Sequence, residues 1–382
     1  MKTMKVVTVV CWVIAALALV GLAIWFLTGT VFGYRSSNWG SPFSGFSIGN
    51  FEVLAGPFEE AGTYEIGAED IRSLNVDWTS GNVRVEPYDG ATIKITEYAQ
   101  RELKDNEKLR TNTSSGVLSI RYIEQNQRLW NMPQKRLEVL IPRGLCQSFE
   151  YVTIDAMSSD ITADGVGATR FKADTASGSV SLTNITAQTL SVNTMSGTVT
   201  LSSVISDVID IDSTSGSITV NSAQSGETVL NSMSGSVRIT GSSARSIVCE
   251  TTSGSINVAG DFKVMDLSSM SGRVDADSSA ENSVVNAETT SGSIDVSGSF
   301  DIVETDSMSG NVNIRSSIVP SSVKADTTSG SITIAIPGGE TISVNHSSIS
   351  GSFSSDVPVL IQGSGARFSI STMSGRTRII AI

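Results

Sequence analysis

The sequence holds one histidine, His346, three cysteines and no Cys-x-x-Cys pair. Nucleophilic catalysis of the Ser-His-Asp kind and zinc ligation both need constellations that this supply does not build. Calcium patterns are missing too: there is no Gly-Gly-x-Gly-x-Asp repeat and no Asp-rich hand loop. Aromatic residues make up 6% of the chain, and no Trp or Tyr follows Tyr151, so the later half lacks the flat faces that sugar-binding grooves usually offer. Basic residues are outnumbered, with a formal charge of −12 and no cluster of Lys and Arg, which argues against nucleic acid as a partner. Cys146 and Cys249 are too few for a disulfide framework. A single bridge between them is one reading; the favoured one makes Cys249 a small buried hydrophobe, because it falls in an otherwise mainly apolar column.

What is present begins with a membrane-like stretch. Lys2 and Lys5 precede an uncharged run from Val6 to Leu27, whose reach of roughly 33 Å suffices for a bilayer core. The next basic residue is Arg35, so residues 1–27 are expected to be a single-pass anchor through residues 6–27, with the N-terminus cytoplasmic and everything after it extracytoplasmic. A cleaved signal peptide is the alternative, but the apolar run exceeds a normal signal core. Residues 28–70 carry Gly, Ser and Pro punctuation without sustained periodicity and read as a linker. Residues 71–150 read as an N-terminal β segment that caps a repeat region: "IRSLNVDWTSGNVRVEPY" is two alternating runs around Ser80-Gly81, and "ATIKITEYA" and "RLEVLIP" are further strands. The charged stretch "QRELKDNEKLRTNTSSG" between them reads as a solvated loop or hairpin tip.

From residue 151 to 382 the chain repeats. Ser-Gly pairs place glycine at 178, 197, 216, 235, 254, 272, 292, 310, 330, 351 and 375, and Ser159 stands where the preceding glycine would fall. A period of about 19 residues marks a solenoid or array. Two positions after the glycine the residues are Val, Ile or Phe from Val180 to Phe353, and seven before it they are apolar from Phe171 to Phe368 except Thr228. Each unit therefore holds two short half-buried strands. No such pair buries its apolar face alone, so the units must stack. The expected fold is all-β: a parallel, β-helix-like solenoid, a rod of roughly 50 Å at about 4.8 Å per rung. A coil of two units and an antiparallel meander remain as alternatives. The corner glycine is expected to turn the chain with φ > 0.

Two positions before the glycine, Met alternates with Thr or Ala, broken at Ile349. Met above Thr is expected to fill one groove without overpacking. The position before the glycine is always Ser and the third before is always Ser or Thr. Hydroxyls recurring in every rung read as ladder hydrogen-bonders, and His346 reads as structural. Four before the glycine, acids gather: Asp174, Asp212, Glu250, Glu288, Asp306 and Asp326. Glu288, Asp306 and Asp326 fall in adjacent units and form a weak candidate cation site, with splayed, solvated side chains as the alternative. No catalytic residue and no cofactor is expected.

The segment "LNVDWTSGNVRVEPYDGATIKITEY", the "LEVLIPRG" strand and the repeats "TASGSV", "TMSGTV" and "TTSGSI" resemble the bacterial putative-adhesin family with β-strand repeats, domain of unknown function 4097, over about residues 71 to 382. "AMSSDI" departs from the pattern by lacking glycine at Ser159. The resemblance implies a β-solenoid envelope protein, non-enzymatic, with no catalytic residues to carry over. The function expected is a membrane-anchored adhesin, cell-envelope scaffold or stress-related partner, binding cell-envelope proteins or glycans. The alternative is a carbohydrate-active β-helix enzyme or glycan-binding protein.

Overall fold

A computed structural model describes residues 51–52, 57–124, 132–360 and 365–382. The expected anchor, residues 1–27, lies outside the described residues, as does most of the expected linker. Among the described residues no helix is long and apolar enough to cross a membrane. The chain divides into two compact units, and of the smaller (residues 1–52 and 125–132) only residues 51–52 and 132 are described. The larger unit comprises residues 53–124 and 133–382.

The repeats of the larger unit are parallel rungs of one 19-residue unit each, which removes the two-unit coil and the meander. Strand Thr186–Thr194 pairs in parallel with Gly167–Thr175 on one side and Ile205–Ser213 on the other. After the Met195-Ser196-Gly197 corner, strand Val199–Ser202 pairs likewise with Val180–Thr183 and Ile218–Asn221. Alternation sends Leu190, Val192, Val199 and Leu201 inward, all with no exposure. One register carries the first sheet through Phe171, Leu190, Ile209, Thr228, Ile247, Met265, Val285 and Val303. Thr228, its polar member, is buried and shares a 2.6 Å hydrogen bond with Ser225.

Two features differ from expectation. The solenoid starts earlier: Ser73–Tyr88 is its first rung, with Gly81 in register with Ser159 and Val83 with Ile161. The chain then leaves to build a cap before returning at Phe149. At the other end the rungs do not follow chain order. Arg367–Thr372 and Thr377–Ala381 insert between the rung of Ser322–Ile336 and that of Ile342–Ser355. The reason lies in the inward residues. The inserted rung brings Phe368, Ile370 and Ile379, each about 1% exposed or less. The displaced rung has His346 and Ser355 at positions that are mainly apolar elsewhere, and a polar inward group costs less in a rung that, among the described residues, no full rung covers on its outer side.

The cap closes the first rung. Val117–Arg121 and Lys135–Pro142 pair in parallel with it, and Thr92–Ala99 lies antiparallel to Lys135–Pro142. Glu59–Gly67, within the expected linker, is a strand paired with Thr92–Ala99. The charged stretch forms a hairpin, Arg110–Ser114 with Val117–Arg121, turning at Ser115 and Gly116 with φ of 51° and 79°. It is not wholly solvated, because Leu103, Glu107 and Leu109 are buried. Beneath the cap, Lys135 and Glu97 are fully buried and paired at 2.6 Å. The Lys135 ammonium lies 3.9 Å from the centre of the Tyr122 ring and 5.1 Å from that of Trp78. It donates to the carbonyls of Glu107, at 2.7 Å, and Tyr122. Burial lowers its pKa to about 8, with Glu97 acting the other way.

Candidate functional site

The Ser-Gly corners are the most repeated feature of the molecule. Each corner glycine packs on the rung before it. A Cβ on Gly197, Gly216, Gly235 or Gly254 would sit well inside 3.0 Å of the preceding corner's carbonyl oxygen, a distance real Cβ atoms do not show. That close approach, not φ, requires glycine. Positive φ falls six residues later, at Gly165, Asn184, Ser203, Ser222 and Gly241, where the rung makes its second turn. Gly81 is the exception with φ of 100°, and the corner stacked on it is the one that carries a side chain, Ser159.

The hydroxyl three residues earlier ties the same atoms together. Thr251 Oγ1 accepts from the Gly254 N–H at 3.0 Å and donates to the Gly235 carbonyl at 3.2 Å. Ser232, Ser269, Thr289, Ser307 and Thr327 do the same in their rungs. These buried groups are used up by the stack, in the ladder role read from the sequence. The Met column differs from expectation. Met195, Met270, Met308 and Met373 are 46–57% exposed, so they line an outer edge and do not fill a closed groove. In stacking order the column ends Met308, Thr328, Met373, Ile349, so insertion of the last rung restores the alternation that chain order breaks at Ile349.

The acidic column is relieved by amides. Asn193 Nδ2 donates to Asp174 at 2.8 Å and Asn231 to Asp212 at 2.9 Å. Register places Glu288, Asp306 and Asp326 one above another as expected, with Lys324 Nζ 4.0 Å from Asp326 and 3.8 Å from Glu304. Among the described residues no group of three or more His, Cys, Asp or Glu side chains is placed to hold a metal ion. A second acidic stack is hidden in the sequence, because Gly81 stands outside the regular run of corners. Asp77, Asp155 and Asp174 occupy adjacent rungs. Lys172 pairs with Asp174, and one buried oxygen of Asp155 has no hydrogen-bond partner. Desolvation raises the Asp155 pKa to about 6; Lys172 acts against this, and Asp174 and Asp77 add to it.

A concavity of about 500 Å³ lies on the outer face of the second sheet. Asn257, Asp275, Asp295 and Asn313 line it in one outward column, with Arg315 alongside and Ala259 and Ala335 leaving space. Arg273 bridges Asp275 at 2.7 Å and Asp295 at 3.1 Å, and Asn313 Nδ2 donates to Asp295 at 2.8 Å. This row of carboxylates and amides offers hydrogen bonds to a polar, extended ligand. The signal in the sequence was the outward alanines at 259 and 335, read only once the rungs are aligned.

The sequence matches the family described as Toastrack DUF4097 over residues 71–261, 206–317 and 261–377. The chain belongs to that family. Similar solved structures include a putative adhesin from Parabacteroides distasonis (12% identity, 85% of this chain and 97% of that one, TM-score 0.34). A putative adhesin from Bacteroides fragilis is 13% identical over 84% and 96%, with a TM-score of 0.22. A putative lipid binding protein from Parabacteroides distasonis is 14% identical over 83% and 96%, with a TM-score of 0.29. No curated protein matches the sequence.

In this Toastrack chain Cys146 and Cys249 are both buried and free, not bridged. Burial pushes the Cys249 thiol upward, away from reactivity. His346 stacks on Phe353 with ring centres 4.9 Å apart and shares a 3.2 Å hydrogen bond with Thr377, and burial lowers its pKa.

Proposed function

We propose that this chain is a non-enzymatic, membrane-anchored extracytoplasmic scaffold of adhesin-like type, held in the bilayer by residues 6–27. One observation carries the reading: the recurring Ser, Thr and Gly that dominate the sequence are bonded or packed rung to rung, as at Thr251, Gly254 and Gly235. Regularity of this kind builds a long display surface. Catalysis instead needs one nucleophile set apart by its own base. The uncharged run Val6–Leu27 and the two lysines before it support the anchor and its orientation.

The groove beside Asp275, Asp295 and Asn313 favours a second reading, glycan binding without cleavage. Full-length protein in detergent, incubated with an array of envelope glycans and read for retention and for hydrolysis, separates the readings. Cleavage of any polymer overturns the scaffold, and retention lost in the Asn313→Ala variant supports the groove. For the anchor, alkaline extraction of native membranes is expected to leave the protein in the pellet; release overturns it.

A further inference from the structure

On the outer face of the first sheet, six consecutive rungs each turn one aliphatic side chain outward: Val208, Val229, Val248, Val264, Val284 and Ile302. Val229 lies in register with Val248, and Val264 with Val284 and Ile302. The six make a ribbon along the axis, about 24 Å long at about 4.8 Å per rung. Val264 is 43% exposed, and the other five are half-buried. In the same rungs the outward positions of the second sheet, from Thr219 to Arg315, hold no Val, Ile or Leu. The ribbon therefore belongs to one face, and a contiguous apolar surface of this kind marks a place of contact.

Carboxylates flank it. Asp210, Asp266 and Glu304 continue the column of Val229 and Val248, and Glu227 stands in the column of Val264. Asp212, Glu250, Glu288 and Asp306 form a third column beside them. No Lys or Arg enters these columns until Arg170 and Lys172 at one end and Lys324 at the other. Asp210, Glu227 and Glu250 make no hydrogen bond or ion pair among the described residues. Desolvation raises the pKa of Asp210, with Asp212 and Glu227 adding to it, and that of Glu250, with Asp266 adding. A cation laid on the face relieves the added repulsion. An acidic face repels anionic lipid and a second copy of this acidic chain alike, and the aliphatic ribbon asks for apolar contact that a bare cation does not supply.

We propose that this face docks a basic amphipathic helix of a protein partner, with the apolar stripe of the helix on the ribbon and its Lys and Arg reaching the flanking carboxylates. At about 1.5 Å per residue, a helix of about 16 residues covers the ribbon. The proposal goes beyond the scaffold and glycan readings, and it uses a different sheet from the groove.

The probe is a synthetic leucine-lysine peptide of about 18 residues, with its leucines on one helical face. Its binding to immobilised full-length protein is read by surface plasmon resonance, with the same nonionic detergent in every arm and a protein-free surface subtracted. Wild type and an Asp277→Asn/Glu281→Gln/Glu340→Gln control, at exposed positions elsewhere, are expected to bind alike. The Asp210→Asn/Glu227→Gln/Glu250→Gln variant removes the same charge from the face and is expected to bind at least about tenfold more weakly. Val229→Thr/Val248→Thr keeps side-chain shape and is expected to weaken binding at least about threefold. Absence of binding to wild type overturns the proposal. So does binding that either face variant leaves unchanged, and so does equal binding of a peptide of the same composition with its leucines scattered. Retention on phosphatidylglycerol vesicles that the peptide competes away, or self-association that it reverses, puts a lipid surface or a second copy on this face and likewise overturns it.

Discussion

Replacing Asp155 by asparagine is expected to stabilise the protein at neutral pH and to change little in acid. Asp155 lies between Asp77 and Asp174 in the stack, and its pKa is raised from the ordinary 3.8 to about 6, first by desolvation. Between those two values the folded protein binds a proton that the unfolded chain does not. Stability from this site is therefore greatest in acid and falls as pH rises from about 4 to about 6, after which it is level. A shift of about two units corresponds to a ceiling of roughly 3 kcal/mol. Asp155 is half-buried, so solvent screening reduces the expected gain at pH 7.5 to about 1–2 kcal/mol.

Asparagine suits the column, since Asn193 and Asn231 already donate to Asp174 and Asp212 there. Lys172 keeps its partner Asp174 in the variant. The assay is urea unfolding of wild type and Asp155→Asn at pH 3.5 and pH 7.5, read as the difference in midpoint and slope. Taking the difference cancels the other titrating groups. A stabilisation that appears only at the higher pH is the expected outcome. A variant less stable at pH 7.5, or an offset equal at both pH values, would refute the assignment of an energetically penalised carboxylate.

Three further outcomes are expected from the packing. Gly235→Ala is expected to cost more than about 3 kcal/mol in unfolding experiments, because its Cβ meets the Gly216 carbonyl, whereas Gly67→Ala, with open space, is expected to be nearly neutral. Thr251→Val preserves shape and removes both staple hydrogen bonds; a loss of roughly 1–3 kcal/mol in denaturant unfolding is expected. Lys135→Met strands Glu97 under the cap without its partner and is expected to lower stability by roughly 3–5 kcal/mol, with part regained in Lys135→Met/Glu97→Leu.

The solenoid was legible because identical environments every nineteen residues select identical side chains: the apolar columns, the buried hydroxyls and the corner Ser-Gly all recur at one spacing. The glycine's reason was not. Positive φ and a carbonyl pressing on the α-carbon both demand the absence of Cβ, and only coordinates tell the first, at Gly241, from the second, at Gly235. The first rung escaped because Gly81 and Ser159 are separated in sequence by the whole cap, so the period is broken while the register is kept. The Asp77–Asp155–Asp174 stack escaped with it. The groove needed aligned rungs before Ala259 and Ala335 fell in one outward column, with Asp277, Ser297 and Arg315 between them.

The order of the last rungs shows how composition selects position within a stack. In a repeat array each interior rung gains two interfaces and a terminal rung one. Apolar inward residues are therefore worth most inside, and polar ones are tolerated at the end. The rung with Phe368, Ile370 and Ile379 occupies the interior although it comes last in the chain, and the rung with His346 and Ser355 occupies the end. Chain order alone would have put His346 in the interior, with a further rung above it and its imidazole inside the core. The insertion leaves that ring where it stacks on Phe353 and reaches Thr377, and it sets Met373 above Thr328 in the outer column. A preference for burial that outweighs chain order therefore places the rung with polar inward groups at the end of the stack, where leaving them less covered costs least.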